Sequence, residues 1–422
     1  METVILGAGA TGLVLALRRS LRGDHVTLIE KETLPGGLAA GFEVEGTWLE
    51  KFYHHIFTSD KAIIQLISDL GLGDKLEWFS PVTASMVKDS IYRLDSALSV
   101  LQFPPISIIN RLRMGAAIAA LKLTANNAYY EKTTAEAWLN RWMGRAAADS
   151  VWNPLLRGKF GDYAPEVSLA WFWARVHDRS AKLGYVRGGF QLVYNRLEQV
   201  IQAMGTKIEY QTTAQKIREG KNKKLIIETS KGTITADKVI STLSTAITLQ
   251  LLPTLPAFHR KYAAVNALGA HCLILALQQK VLPNSIYWLN ITDTSMPFLA
   301  AVEHTNMVPA NDYKGSVLLY LGNYLPMEHP IMHMDKEEIL KLYLPALQRI
   351  NPAIDSSWIR QSWSFAAPFA QPVVTCSFKN QIPPHKTPIK NVFLANMFQV
   401  YPHDRGQNYA IAMADTVANM LD

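Results

Sequence analysis

The chain has 422 residues, 49% hydrophobic and 18% charged, with a net charge of +7 and a pI near 9.1; this is a composition for two or three globular domains and not for a disordered chain. The basic residues are scattered and no basic run with interleaved aromatics occurs, which argues against nucleic acid and leaves an acidic membrane surface or a phosphorylated small molecule as anionic partners. Two distant cysteines, Cys272 and Cys376, no run of about 18 apolar residues, and a strand that begins at residue 2 with no room for a leader point to a cytoplasmic, non-transmembrane protein, with peripheral contact on the inner face of a membrane as the variant.

Glu2 to Leu6 predicts a buried strand, and Gly7, Gly9 and Gly12 follow it with G-x-G-x-x-G spacing. That spacing uses the first glycine for a tight turn, the second for approach of a pyrophosphate and the third for close helix–sheet packing. A helix from Ala10 and Thr11 to about Arg22 directs its first N–H groups and positive dipole end at phosphate. The strand His25 to Ile29 then ends at Glu30, whose carboxylate can accept from a ribose hydroxyl, and Lys31 follows. The loop to Ala39 carries Gly36, Gly37 and Leu38, where a long cofactor needs close backbone approach.

Phe42 to Leu49 reads as extended, Glu50 to Thr58 holds the pair His54-His55, and a helix from about Asp60 stops at Gly71. From Trp78 to Gly184 the chain is mostly helical after a strand-like Ser85 to Leu94. Residues 101–123 set Arg111, Arg113 and Lys122 among apolar positions; a buried helix with charges at its edge is expected, an interfacial membrane helix being the alternative. Thr133 to Glu136 can open a helix with a capping box. The tryptophans at 138, 142, 152, 171 and 173 are expected mostly in the core, and Arg157, Lys159 and Arg175 on a solvated helix edge, with an anion site as the alternative. Gly188-Gly189 opens another helix that stops at Gly205.

Short β runs at 207–210, 224–228 and 233–235 form a meander leading into the apolar strand 236–242, which returns to the first sheet. Runs at 262–277, 285–290, 298–302, 316–321 and 358–365 predict a mixed sheet, interrupted by a helix from Lys336 to Ile350 with Asp335 as N-cap and Glu338 completing a capping box. Asn391 to Ala395 is a strand, 396–406 a loop and Gln407 to Leu421 a helix. The expected fold class is α/β: a Rossmann-type dinucleotide domain assembled from residues 1–75, 185–245 and 385–422, interleaved with a helical cap, 76–184, and a mixed-sheet substrate domain, 246–384.

The glycine motif and acid serve NAD or FAD equally. The motif's place near the N-terminus, the Gly36-Gly37 loop and a closing strand–loop–helix that can bring a helix N-terminus to the N1/O2 edge of an isoalloxazine favour FAD. Residues 4–41, the strand 236–242 and residues 391–421 resemble the FAD domain of flavin amine oxidases, protoporphyrinogen oxidases, phytoene desaturases and UDP-galactopyranose mutases, of the glutathione-reductase-like type. The resemblance implies FAD held by Gly7, Gly9, Gly12, Glu30 and the Gly36-Gly37-Leu38 loop, with a backbone contact near Ala214 and the last helix under the flavin. Where that superfamily has Ala-Gly-Asp this chain has Ala395-Asn396-Met397, so Asn396 can hydrogen-bond there without a charge, and no amine-oxidase aromatic cage is identifiable. The loop 53–58 is similar to the histidine loop of UDP-galactopyranose mutases, while 362–372 is more like protoporphyrinogen oxidases.

Candidate chemical residues are His54 and His55, of which one at most can face the flavin from an extended segment, and Tyr401 and His403 in the polar loop before the last helix. In the same stretch Arg405 can meet a phosphate or substrate anion, or pair with Asp404 or Glu30, while Gly406, Asn408 and Ala410 lie where the backbone approaches the cofactor. His329 and His333 lack a third ligand, so no metal site is expected. The function implied is an FAD-dependent oxidoreductase that moves a hydride from an apolar or amphiphilic small molecule to flavin N5. The alternatives are a non-redox flavin sugar isomerase and a non-catalytic flavin- and lipid-binding protein. No oligomeric state is indicated.

Overall fold

In the computed structural model, which describes residues 1–253, 255–263 and 265–421, the first strand, Glu2–Leu6, lies at the centre of a five-stranded parallel sheet. Its neighbours are His25–Ile29, flanked by Lys207–Glu209, and Lys238–Ser241, flanked by Val392–Leu394. Strands from the beginning, middle and end of the chain therefore share one sheet. Alternation along these strands divides two cores. Ile5, Leu28 and Ile240 face the helices Ala10–Leu21, Gln191–Ala203 and Gln407–Met420, while Val4, Leu6, Ile29 and Val239 face a three-stranded meander.

That meander is Ala214–Glu219, Leu225–Thr229 and Gly232–Ala236. The run at 207–210, expected within it, instead forms the edge of the parallel sheet, pairing Ile208 with Leu28. Residues 214–219 escaped the sequence reading because Gln215, Lys216, Arg218 and Glu219 dilute the apolar signal and only Ile217 is buried.

The second sheet has seven strands, in the order Ile359–Pro372, Ala267–Leu277, Val317–Leu325, Ala300–Glu303, Ile286–Ile291, Val82–Val87 and Ser90–Arg93. Its pairings are antiparallel except for that between Ile286–Ile291 and Val82–Val87, so it is mixed as expected. Two of its strands, Val82–Val87 and Ser90–Arg93, come from the start of the mostly helical stretch, where residues 85–94 are expected to be strand-like; the structure splits that run into a hairpin. One face packs on the first core through Cys272, Ile274 and Tyr320; the other, through Leu273, Leu275 and Leu319, is covered by the helix Lys336–Ile350. That helix has the expected capping box: Asp335 accepts from Glu338 N at 2.9 Å and Glu338 from Asp335 N at 3.0 Å. The strand expected from Tyr262 starts only at Ala267, behind a helix Pro256–Tyr262.

The helical lobe packs Ile108–Leu123, Ala135–Trp142, Asn153–Phe160 and Leu169–His177 around Met114, Leu121, Trp138, Phe160, Trp171 and Trp173. The tryptophans are mostly core as expected, Trp142 being the exposed one of the five. One expectation fails here: the helix Ile108–Leu123 is not buried, since Ile108, Ile109 and Leu112 are 65%, 67% and 58% exposed and its buried residues are Met114, Ala117 and Leu121. Its four alanines and one glycine weaken the inward stripe, so its largest side chains end on the solvent side. No helix among the described residues is long and apolar enough to cross a membrane.

Candidate functional site

The glycine turn is built by contact. Gly7 adopts a φ of +100°, and a Cβ at Gly12 would lie 1.9 Å from the Gly7 carbonyl oxygen, so the helix can leave the turn only with no side chain there. Gly9 bridges Gly36 in parallel fashion, and Gly36 N donates to Ala8 O at 2.8 Å, which brings the two glycine loops together. Buried Glu30 accepts from Ala8 N at 2.7 Å and Glu32 N at 2.9 Å, fixing its carboxylate beside the turn. Lys31 is exposed and pairs with Glu32 at 3.4 Å. Ala214 begins the meander and packs on the cluster containing Val4, Leu6 and Ile29.

The final helix joins the first: Thr11 Oγ1 donates to Ala410 O at 3.3 Å, and Arg18 meets Asp415 at 2.7 Å. Ahead of it, Asn396 accepts from Phe398 N and its backbone N–H donates to Gln399, which leaves buried Asn396 Nδ2 without a partner. Gln407 Oε1 takes the hydroxyl of Tyr194, and buried Gln407 Nε2 is also unpartnered. Two orphaned amide donors, one after the last strand and one in the first turn of the last helix, fit an acceptor-rich cofactor lying over both. A Cβ at Gly406 would meet open space. Asn408 is used by the fold itself, its Oδ1 accepting from Ala62 N at 2.9 Å at the start of the helix Lys61–Asp69.

The histidine loop sits between the strand Thr47–Glu50 and the short strand Ile56–Phe57. It is anchored by buried Glu50, which accepts from Phe190 N at 2.6 Å and Tyr185 OH at 2.8 Å, while Glu50 O takes the Tyr320 hydroxyl. Phe52 packs with Leu38 and Tyr324 on the cluster Ala270, Ala367 and Ala370, so the second glycine loop and the histidine loop share a wall. Tyr53 meets Trp288 edge-on at 4.9 Å. His54 Nδ1 bonds Phe52 O at 2.6 Å and His55 Nδ1 lies 3.3 Å from Tyr287 OH. Burial, joined by the Arg405 charge, lowers His54 to about 4; burial with Arg179, His54 and Arg175 lowers His55 to about 3. Both imidazoles are therefore neutral at pH 7.

The loop after Asn396 places its polar residues apart. Tyr401 stacks on Phe378 against the helical lobe, its hydroxyl raised by burial to about 12. His403 stacks on Tyr409 at 4.5 Å and bonds Asp178 Oδ2 at 2.6 Å through Nδ1, and Tyr409 OH donates to the same oxygen at 2.8 Å. The Arg405 side chain pairs with neither Asp404 nor Glu30; it reaches Gln371 Oε1 at 3.1 Å and the Tyr324 hydroxyl. Of the three cations expected on a helix edge, only Arg157 lies there, 3.3 Å from Glu136. Lys159 and Arg175 turn inward to Asp404 at 3.3 and 2.7 Å. Sequence reasoning passed over Glu50, Asp178, Arg179 and the side chain of Gln407, whose backbone alone was expected at the cofactor. The signal for the middle pair was a charged His177-Asp-Arg179 run directly after a tryptophan-rich helix.

A family model described as flavin containing amine oxidoreductase matches residues 10–403. The 15-cis-phytoene desaturase, chloroplastic/chromoplastic, of Narcissus pseudonarcissus is 33% identical over 79 residues, which is 18% of this chain and only 14% of that relative's length. Two solved structures align along almost their whole lengths. A protein of Exiguobacterium sp. 255-15, provisionally assigned as a protoporphyrinogen oxidase, has a TM-score of 0.79 at 17% identity, covering 100% of this chain and 98% of its own. Reduced UDP-galactopyranose mutase has a TM-score of 0.77 at 15% identity, covering 99% and 96%. At such identities the structural likeness is one of fold, a glutathione-reductase-like α/β fold of the amine oxidase branch. The family match runs from within the glycine turn to the polar loop before the last helix, and so spans most of the sequence: the chain belongs to the flavin containing amine oxidoreductase family.

Proposed function

We propose that the protein dehydrogenates an amphiphilic small molecule in the cleft bounded by the histidine loop, the Tyr324 wall and the first turn of the final helix. The observation that supports this is the shared packing of Leu38, Phe52 and Tyr324, which sets the cofactor loop and an aromatic, histidine-bearing wall side by side. Gly7, Gly9, Ala10, Thr11, Gly12, Glu30, Gly36, Gly37 and Leu38 would hold the dinucleotide part of the cofactor, and Asn396, Gly406, Gln407 and Ala410 would hold the flavin part. FAD, when bound, supplies the hydride acceptor. Tyr53, Trp288 and Phe57 exclude water and hold the apolar part of the substrate. The proton released with the hydride goes to the Nε2 lone pair of His403, whose tautomer the Asp178 carboxylate fixes through Nδ1. Anaerobic addition of the true substrate should bleach the visible flavin absorbance. Protein purified without flavin and unable to take it up would overturn the reading.

A second, non-redox reading, sugar isomerisation of the UDP-galactopyranose mutase kind, is favoured by one observation: the loop of Phe52, which packs beside Leu38 of the second glycine loop, also carries His54 and His55. It requires turnover by pre-reduced protein with no net consumption of electrons, and an oxidised form that works equally well would exclude it.

The exposed helix supports a site of action at a membrane surface. Ile108, Ile109 and Leu112 share one face, with Leu98 and Leu101 exposed on the neighbouring helix Ala97–Leu101. From Ser96 to Tyr130 there is no acidic residue, against Arg111, Arg113 and Lys122, so the patch suits an anionic bilayer. The protein should float with vesicles containing phosphatidylglycerol and the Ile109→Glu/Leu112→Glu variant should not. Wild-type protein that stays unbound at low salt would remove this part of the reading.

A further inference from the structure

The cleft is cationic to an extent that its own carboxylates do not balance. Asp404 Oδ2 faces Arg175 Nη1 at 2.7 Å and Lys159 Nζ at 3.3 Å, and its Oδ1 takes Trp171 Nε1 at 3.2 Å and Arg405 N at 3.1 Å. Arg405 spends its guanidinium on neutral groups, Gln371 and Tyr324. Arg179, exposed and within reach of Arg175 and Asp404, pairs with no acid among the described residues. Asp178, next to it in the chain, turns to His403, Tyr409 and His177 instead. Four cationic side chains, Lys159, Arg175, Arg179 and Arg405, thus meet one carboxylate.

These charges face the chemistry. Arg405 acts on His54, and Arg179 and Arg175 act on His55, so the cluster fronts the histidine loop. Arg405 also immediately precedes the open backbone at Gly406 and the final helix N-terminus. Lys159 is caged at 5.0 Å from both the Trp171 and Tyr324 rings. The charges of Arg175 and Asp404 both act on the Arg179 guanidinium, which puts it within electrostatic reach of the same cluster. A guanidinium in such a place matches the geometry of a carboxylate or phosphate.

We propose that Arg179, with Arg175, Lys159 and Arg405, forms a subsite for an anionic group of the substrate, a carboxylate or a phosphate, and that the site rejects a protonated amine. The inference rests on the dehydrogenase reading, since it names the substrate's head group. It is tested on flavin-loaded protein by calorimetric titration with sodium octanoate, inorganic pyrophosphate and hexylammonium chloride. Wild-type protein should bind octanoate or pyrophosphate, and whichever binds more tightly identifies the head group as carboxylate or phosphate. Arg179→Gln should weaken that binding at least tenfold with flavin content unchanged, and Arg179→Lys should restore part of it. Failure of both anions to bind, equal binding by Arg179→Gln, or preference for hexylammonium would each overturn the subsite. Absence of flavin from the purified protein would instead overturn the dehydrogenase reading, so the two failures are distinct.

Discussion

Glu50 offers the most direct test of how burial sets the behaviour of this fold. It is 1% exposed, and burial raises its carboxyl from 4.5 to about 7, against the lowering effect of its hydrogen bonds from Phe190 N and Tyr185. Below pH 4.5 the group is protonated in folded and unfolded chains alike, and its contribution to stability is fully present. Between 4.5 and about 7 the unfolded chain releases a proton that the folded chain keeps, so stability falls as pH rises; above about 7 the folded chain carries a buried charge and the contribution is lost. At about 1.36 kcal/mol per pH unit the loss amounts to about 3 kcal/mol. Glu50→Gln removes the titration while keeping the shape. The stability of wild type relative to this variant, from urea unfolding at pH 4.5 to 8, should therefore fall by about 3 kcal/mol across that range. Asp60 and Glu303, also raised by burial, are present in both proteins and cancel. A flat difference would refute the reasoning and mean that water or a cation reaches Glu50.

Gly12→Ala should abolish flavin retention, because the new Cβ would sit 1.9 Å from Gly7 O and force open the turn, an overpacking cost of about 3 kcal/mol or more placed directly at the cradle; stoichiometric flavin in the purified variant would contradict this. Asp178→Asn should lower the rate of flavin reduction by about 100-fold, the low end for loss of general base catalysis, and move the acidic limb of its pH profile. Flavin content should not change, and a profile that keeps its shape would remove His403 as the proton acceptor.

The cofactor half of the molecule was legible because its requirements are local. A glycine that must lie against a carbonyl leaves a mark at a fixed spacing, and a strand buried on both faces shows a short apolar run, Val4 to Leu6 in the first strand and Val239-Ile240 in the returning one. The capping box at Asp335 is legible for the same reason. The cleft was not, because its parts meet across the chain: Arg175 lies 229 positions from Asp404, and Gln191 donates to Pro35 O across 156. The helix Ile108–Leu123 misled for a different reason. Apolar residues on a helix report burial only if something packs on them, and here the lobe covers the Met114 side and leaves the isoleucines bare.

The charge state of the cleft constrains what reacts there. Protonating His54 requires a pH near 4, and His55 one near 3. Asp404 is held well below the usual carboxylate range, because Lys159, Arg175 and Arg405 overcome the opposing effect of its burial. Buried Tyr53 and Tyr320 are pushed well above the ordinary tyrosine value. At neutral pH the two loop histidines can thus neither donate a proton as imidazolium nor compete with the cations for an anion. An ammonium substrate would have to shed its proton before entering, against a local positive potential that favours that loss but also gives the neutral amine nothing to pair with except Asp404, already saturated by two cations, an indole and a backbone N–H. A substrate carrying its own negative charge meets no such obstacle. Of His54, His55 and His403, the one whose ring is oriented by a carboxylate is His403, its Nδ1 2.6 Å from Asp178 Oδ2.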